Sequence, residues 1–375
     1  MTSVMRLPLN SAPCSGVGFG QKMGRMAFRT TLCIAAVAVA ALSLPGVAAT
    51  RLAAGSVQSS SREFSALVSQ GAEVELLADG FSWSEGPVWI GEGGYLLFSD
   101  VPRNRIHRWT RAEGATLFLH PSGGNQKQGF REPGSNGLKP GGAGTILVAD
   151  QGNRAIARLN LRTKAKRLLA ARFGGKRFNS PNDLAVGRDG AIWFTDPPYG
   201  LEGIDDSPLK EQPVNGVYRL GADGRVTLVE RELRFPNGIA FSADGRTLYV
   251  SNSDPARAVI LAYDLAAGGA LSRRRLFADM TALAAKRLPG LPDGMAVDER
   301  GNLWATGPGG VHVFKPDGRE LGLISTGAAI SNCTFGGADG RTLFMTSGSM
   351  LAAVRTKVRG APQRLPGLFS GRKQK

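Results

Sequence analysis

The chain has 375 residues, 46 Lys and Arg against 30 Asp and Glu, and a formal net charge of +16. With 51 glycines and only 20% charged residues it is not a long helical or coiled-coil protein, and a 42% apolar share excludes wholesale disorder. Three Cys exclude a disulfide-stapled scaffold, and three scattered His (His107, His120, His312) leave little material for a zinc site.

The first predicted element is an export signal. Lys22, Arg25 and Arg29 precede the apolar run Leu32 to Leu44, in which only Ser43 is polar, and Val47 and Ala49 offer small residues for cleavage. This is the layout of a secretory signal peptide over residues 1–49, with a start at Met23 or Met26 fitting it better than Met1; it predicts a periplasmic or secreted protein. Thirteen residues fall short of the ~20 needed to span a bilayer, so no stable membrane anchor is expected. Cleavage leaves Cys333 as the single cysteine and removes four positive charges, Arg6, Lys22, Arg25 and Arg29. Residues 50–69 then read as a linker and 359–375 as a basic tail, since no acid follows Asp339. No basic–aromatic interleaving accompanies that tail, so it reads as a solvated end; neither a nucleic-acid nor a protein partner is indicated.

Between these ends, over 70–358, six segments share one pattern: SEGPVW, SNGLKP, PNDLAV, PNGIAF, PDGMAV and SNCTFG. Each places an acid or Asn after Ser or Pro: Glu85, Asn136, Asn182, Asn237, Asp293 and Asn332, spaced by 51, 46, 55, 56 and 39 residues. Eight residues after each stands a glycine (Gly93, Gly144, Gly190, Gly245, Gly301, Gly340), and three further on a large apolar residue (Leu96, Leu147, Trp193, Leu248, Trp304, Leu343). The glycine marks a hairpin turn between two apolar strands, and later runs such as Gly216–Leu220 and Gly310–Phe314 predict about four strands per unit. Units of about 40–55 residues with four strands are propeller blades. The expected fold is all-β, one six-bladed β-propeller with a central metal-binding channel.

Taken singly, Asn-Gly and Asp-Gly are ordinary turn dipeptides. Here the hairpin turn comes eight residues later, which puts the six polar positions at strand starts beside the propeller axis. Two carboxylates and four carboxamides in a cramped ring suit a hard cation, with Ca²⁺ preferred over Mg²⁺ for its tolerance of irregular coordination, though another divalent ion would also serve. The bland alternative is an ion that merely plugs the channel.

The motifs EGPVW, SPNDL, FPNGIAFSADGRTLYVSNS and LPDGMAVDERGNLW resemble the strand-start motifs of the gluconolactonase / senescence marker protein (regucalcin-like) family over about residues 70–355. That resemblance implies a propeller with a divalent metal, usually calcium, and lactonase activity. It implies metal ligands at Glu85, Asn237 and Asp293, and at Asn182 a residue that ligates the metal or contacts substrate. The stretch SNGLKPGG…LVADQGNR resembles the bacterial branch and implies substrate-binding roles for Asn136, Gln151 and Arg154; Asn332 gains no metal role. The expected reaction is hydrolysis of a small-molecule lactone or ester, a sugar aldonolactone foremost, with the metal polarising the carbonyl and Asp293 activating water. A non-catalytic sugar-acid-binding propeller and a phosphotriesterase-like hydrolase remain the alternatives. No G-x-S-x-G elbow is present, Cys333 reads as a buried apolar residue, and His107 and His120 are candidates for assisting proton transfer. Specificity is expected in the loops 118–135 and 196–209.

Overall fold

A computed structural model describes residues 54–59, 61–125 and 128–366. The segment expected to be a signal peptide and the end of the expected basic tail lie outside the described residues.

Among the described residues, six antiparallel sheets of four or five strands follow one another along the chain, with a two-stranded hairpin (Arg172–Phe173 with Lys176–Arg177) between the second and third. Blade 1 runs Ser84–Ile90, Tyr95–Asp100, Arg105–Thr110, Gly114–Leu119, and blade 2 runs Ser135–Gly142, Thr145–Asp150, Ala155–Asn160, Lys166–Ala170. Blades 3 and 4 begin at Leu184–Val186 and Pro236–Phe241 and end at Val226–Glu230 and Leu271–Asp279. Blade 5 spans 295–325 in four strands and blade 6 spans 330–355 in three. The fourth strand of blade 6 is Val74–Ala78, which pairs with Met350–Arg355 and so closes the ring with chain from its own beginning. The expected strands Gly216–Leu220 and Gly310–Phe314 are the third strands of blades 3 and 5.

Two terminal segments differ from the sequence reading. Within the stretch read as a linker, Ser56–Ser59 adds a fifth strand to blade 5, and Arg62–Ser65 forms a helical turn whose Phe64 is fully buried. At the other end, residues 360–364 are held to the propeller: Ala361 N donates to Val297 O at 2.8 Å and Arg364 to Ala243 O at 2.7 Å. The repeat pattern concealed both, because neither segment carries it.

The core is a ring of interfaces. Among the described residues, six hydrophobic clusters each join two neighbouring blades, blade 6 packing back on blade 1 through Leu96, Phe98, Phe344 and Leu351. A blade is covered on both faces, so its strands read as continuous apolar runs, and adjacent residues enter different clusters: Leu96 faces blade 6 while Leu97 faces blade 2. All six apolar positions of the repeat are fully buried. The repeat glycines have positive φ at Gly144, Gly190, Gly245, Gly301 and Gly340. In blade 1 the left-handed residue is Gly94, because Gly93 is taken into the short 3₁₀ turn Gly91–Gly93.

Trp193, fully buried between blades 3 and 4, tests this core. Trp193→Ala is expected to cost about 3–5 kcal/mol of stability, read as a shift in a denaturant unfolding curve.

Candidate active site

At the start of four of the six innermost strands the ladder breaks. Pairing with the second strand is interrupted between Glu85 and Val88, Ser135 and Leu138, Pro236 and Ile239, and Ile330 and Asn332. Such irregularities re-aim side chains and free backbone groups from their usual partners. The freed groups bond to the next blade instead. Ser99 Oγ donates to Asn136 O (2.8 Å), Gly137 N to Asn182 O (2.8 Å), Thr195 Oγ1 to Asn237 O (2.6 Å) and Ser251 Oγ to Asp293 O (2.9 Å). Gly294 N donates to Ser331 O (2.8 Å) and Ser331 Oγ to Ser84 O (2.6 Å), so all six blade junctions carry at least one bond.

This close lacing explains the glycine that follows the polar residue. A Cβ on Gly86 would lie 2.1 Å from Asn136 O, and one on Gly238 2.1 Å from Asp293 O. The Glu-Gly, Asn-Gly and Asp-Gly pairs are therefore points of blade-to-blade approach.

The lacing brings Glu85, Asn136, Asn182, Asn237 and Asp293 together in one cavity of about 610 Å³. Glu85, Asn136, Asn182 and Asn237 are buried, and Asp293 is half-buried with its Oδ1 inside. Asn332, the sixth repeat position, is outside the cavity: its Oδ1 accepts from Cys333 N at 2.9 Å and its side chain bonds Glu85. Gln151 and Arg154, expected to bind substrate, do not line the cavity. Arg154 is buried with its Nε on Phe178 O at 2.6 Å and its head beside Glu211, a structural tie to the loop entering blade 3. Gln151 is fully buried beneath Gly200. His107 packs against Phe81 and Phe98, and His120 bonds Asn104 O; neither lines the cavity. Cys333 belongs to a smaller cavity at the far end of the strands, crossed by residues 360–364, where burial pushes its thiol up to about 12.

The cavity walls come from the two loops expected to carry specificity. Loop 118–135 supplies Arg131 and Glu132, and loop 196–209 supplies Tyr199; Trp83, Leu291 and Ile330 complete the wall. Sequence reading indicated the loops but not these residues, which obey no repeat.

The site is short of positive charge. Burial pushes the Glu85 carboxyl up, with the charges of Asp183 and Glu132 adding to the effect and bonds from Gly86 N and Asn332 opposing it. Burial likewise raises Asp293 well above the usual carboxylate range, with the charges of Glu85 and Asp183 adding to it. Asn136 Oδ1, Asn237 Oδ1 and Asp293 Oδ1 are buried and receive no hydrogen bond from the described residues. Buried oxygens without donors are rare. Asn237 is turned so that its Nδ2 donates to Ser253 Oγ at 2.9 Å, which leaves its oxygen toward the cavity group, and Ser253 donates in turn to Pro292 O at 2.6 Å. Among the described residues no three His, Cys, Asp or Glu side chains gather, so amide oxygens must supply part of any ion's shell. Two carboxylates with orphaned amide oxygens fit a hard cation.

Residues 83–349 match the family description "SMP-30/Gluconolactonase/LRE-like region". The chain belongs to this family. Its relatives include a gluconolactonase of Zymomonas mobilis, 46% identical over 312 residues that cover 82% of this chain and 87% of the relative. A gluconolactonase structure from Xanthomonas campestris is 36% identical, covers 80% of this chain and 94% of its own, and superposes with a TM-score of 0.68. A calcium-binding regucalcin structure from Agrobacterium tumefaciens has a TM-score of 0.63 at 21% identity, covering 78% of this chain and 97% of that one, and shares the propeller fold. Family membership thus agrees with the architecture read from the six repeats.

Ser251 tests the lacing, since its hydroxyl donates to Asp293 O and accepts from Gly238 N at 2.7 Å. Ser251→Ala leaves both groups buried without that partner and is expected to cost about 1–3 kcal/mol, measured by thermal or denaturant unfolding.

Proposed function

We propose that this protein is a divalent-cation-dependent lactonase that opens a sugar aldonolactone. The observation that carries the reading is the convergence of Glu85, Asn136, Asn182, Asn237 and Asp293 in one cavity, with three buried oxygens that receive no hydrogen bond from the described residues. The 46% identity to a gluconolactonase supports the substrate class, and the calcium-binding description of the regucalcin neighbour, though it shares only the fold at 21% identity, is consistent with Ca²⁺ as the ion. Glu85, Asn182, Asn237 and Asp293 would hold the ion. When bound there it supplies Lewis-acid polarisation of the lactone carbonyl.

The chain's own residues do the rest. Among the described residues Asp293 Oδ1 receives no hydrogen bond, so it can accept a proton from the water that attacks the carbonyl carbon. The ring C–O bond then breaks and that proton passes to the departing ring oxygen, giving the open hydroxy acid. Its burial raises its proton affinity, whereas a nearby cation lowers it. A strained lactone demands less basicity than an unstrained amide, so the balance suffices. Asn136 and Asn182 carry amide groups that can hold substrate hydroxyls. Cys333 plays no nucleophilic part, being remote from the cavity with its thiol protonated.

The test is a comparison of two isosteric variants on glucono-lactone with Ca²⁺ raised to saturation. Glu85→Gln removes a ligand charge only, and its kcat is expected to recover. Asp293→Asn removes the same charge and the base, and its kcat is expected to stay ~10²–10⁴-fold low. Full recovery of Asp293→Asn would remove Asp293 from the chemistry.

The apolar run Leu32 to Leu44 and the small residues Val47 and Ala49 support export with cleavage near Ala49. N-terminal sequencing of the protein from the periplasm or medium is expected to begin near residue 50; an uncleaved start in the cytoplasm would contradict this.

A further inference from the structure

We propose that Glu132 is a specificity-determining residue, the acceptor that selects polyhydroxylated lactones over plain ones. The inference rests on the lactonase reading and names the substrate feature the site recognises.

Glu132 is an unusual residue to find in this wall. Its side chain is only 14% exposed, and burial holds its carboxyl above the usual range. Taking a carboxylate out of water is costly unless something compensates for it. Among the described residues its side chain receives a hydrogen bond only from its neighbour Arg131, at 2.6 Å on Oε1. Arg131 is itself half-exposed at 50%, so this is a weak compensation. Nor does Glu132 belong to a metal cluster, since no three carboxylate, His or Cys side chains gather among the described residues. A largely enclosed carboxylate, 14% exposed and with spare acceptor capacity, in a cavity shared with Glu85 and Asp293, has room for donors brought by a ligand.

The backbone holds this carboxylate firmly. Phe130 forms an antiparallel bridge with Leu201, Arg131 N and Glu132 N donate to Gly200 O at 3.0 and 3.2 Å, and Glu202 N donates to Gly129 O at 2.9 Å. Gly200 N is in turn fixed by Ser180 Oγ at 2.9 Å. The same clamp positions Tyr199, which stacks on Phe235 with ring centroids 5.7 Å apart and lines the cavity beside Glu132. A rigid acceptor next to an aromatic surface suits a polyol ring, with hydroxyls for the carboxylate and C–H faces for the ring. A site built to bond a substrate hydroxyl rejects the analogue that lacks it, because the buried acceptor is then left unpaired.

The experiment compares kcat/KM on glucono-δ-lactone and on δ-valerolactone, which has the same ring without hydroxyls, for the parent, Glu132→Gln and Glu132→Ala. Melting curves establish that each variant is folded. The ratio of the two kcat/KM values is expected to fall at least tenfold in Glu132→Ala and less in Glu132→Gln, through KM for glucono-δ-lactone, with δ-valerolactone hydrolysis maintained or improved. Equal loss on both lactones in the folded variants, or no change on either, would overturn the role of Glu132. A parent that hydrolyses neither lactone with Ca²⁺ present would overturn the lactonase reading, and this inference with it.

Discussion

Six backbone carbonyls at the strand starts take a hydrogen bond from the adjoining blade, four of them where the ladder within the blade breaks. These bonds measure 2.6–2.9 Å all the way round. A net hydrogen bond is worth only about 1 kcal/mol, but an orphaned buried group costs more, and here the six form a closed circuit. That circuit sets the spacing of the strand starts and thereby brings five oxygen-bearing side chains together. The hydrophobic clusters hold the blades together; the lacing decides where their inner ends sit.

Much of this was legible in the sequence because a propeller repeats its chemistry. The acid or Asn of each repeat, the turn glycine and the buried Leu or Trp recur at fixed offsets, and they disclosed the blade count and five cavity residues. Asn332 kept the offset but supports Glu85 from outside the cavity, a distinction that periodicity alone does not make. A second periodic signal was present but less visible: Ser99, Thr195, Ser251 and Thr306 stand near the ends of the second strands, thirteen or fourteen residues after the polar position, and are broken by Ala149 in blade 2. Its weakness has a physical reason, since in blade 2 the junction is made by Gly137 N and needs no hydroxyl. Arg131, Glu132 and Tyr199 were illegible because loops follow no repeat and their contacts bridge residues about 70 apart. Gln151 and Arg154 were drawn in by motif likeness, yet a buried arginine bonded to two backbone carbonyls is holding chain in place.

The electrostatics of the cavity run against those of the whole molecule. A chain with a net charge of +16 places Glu85, Asp293 and Glu132 in the wall of one cavity within reach of the charge of Asp183, with Arg131 2.6 Å from Glu132 and Lys139 3.6 Å from Asp183 as counter-charges. Such an arrangement raises the proton affinity of the Glu85 and Asp293 carboxyls, and a hard cation would compensate for it. In the proposed mechanism the same ring would serve hydrolysis, with a cation stabilising charge on the carbonyl and Asp293 acting on the water.

The central claim is that the strand-start oxygens form one cation site. A crystal structure of the protein in saturating Ca²⁺ tests it most directly. The account predicts a single ion in the cavity with oxygens of Glu85, Asn182, Asn237 and Asp293 within about 2.3–2.6 Å of it. An ion bound elsewhere, or those oxygens meeting only water at saturating Ca²⁺, would contradict it.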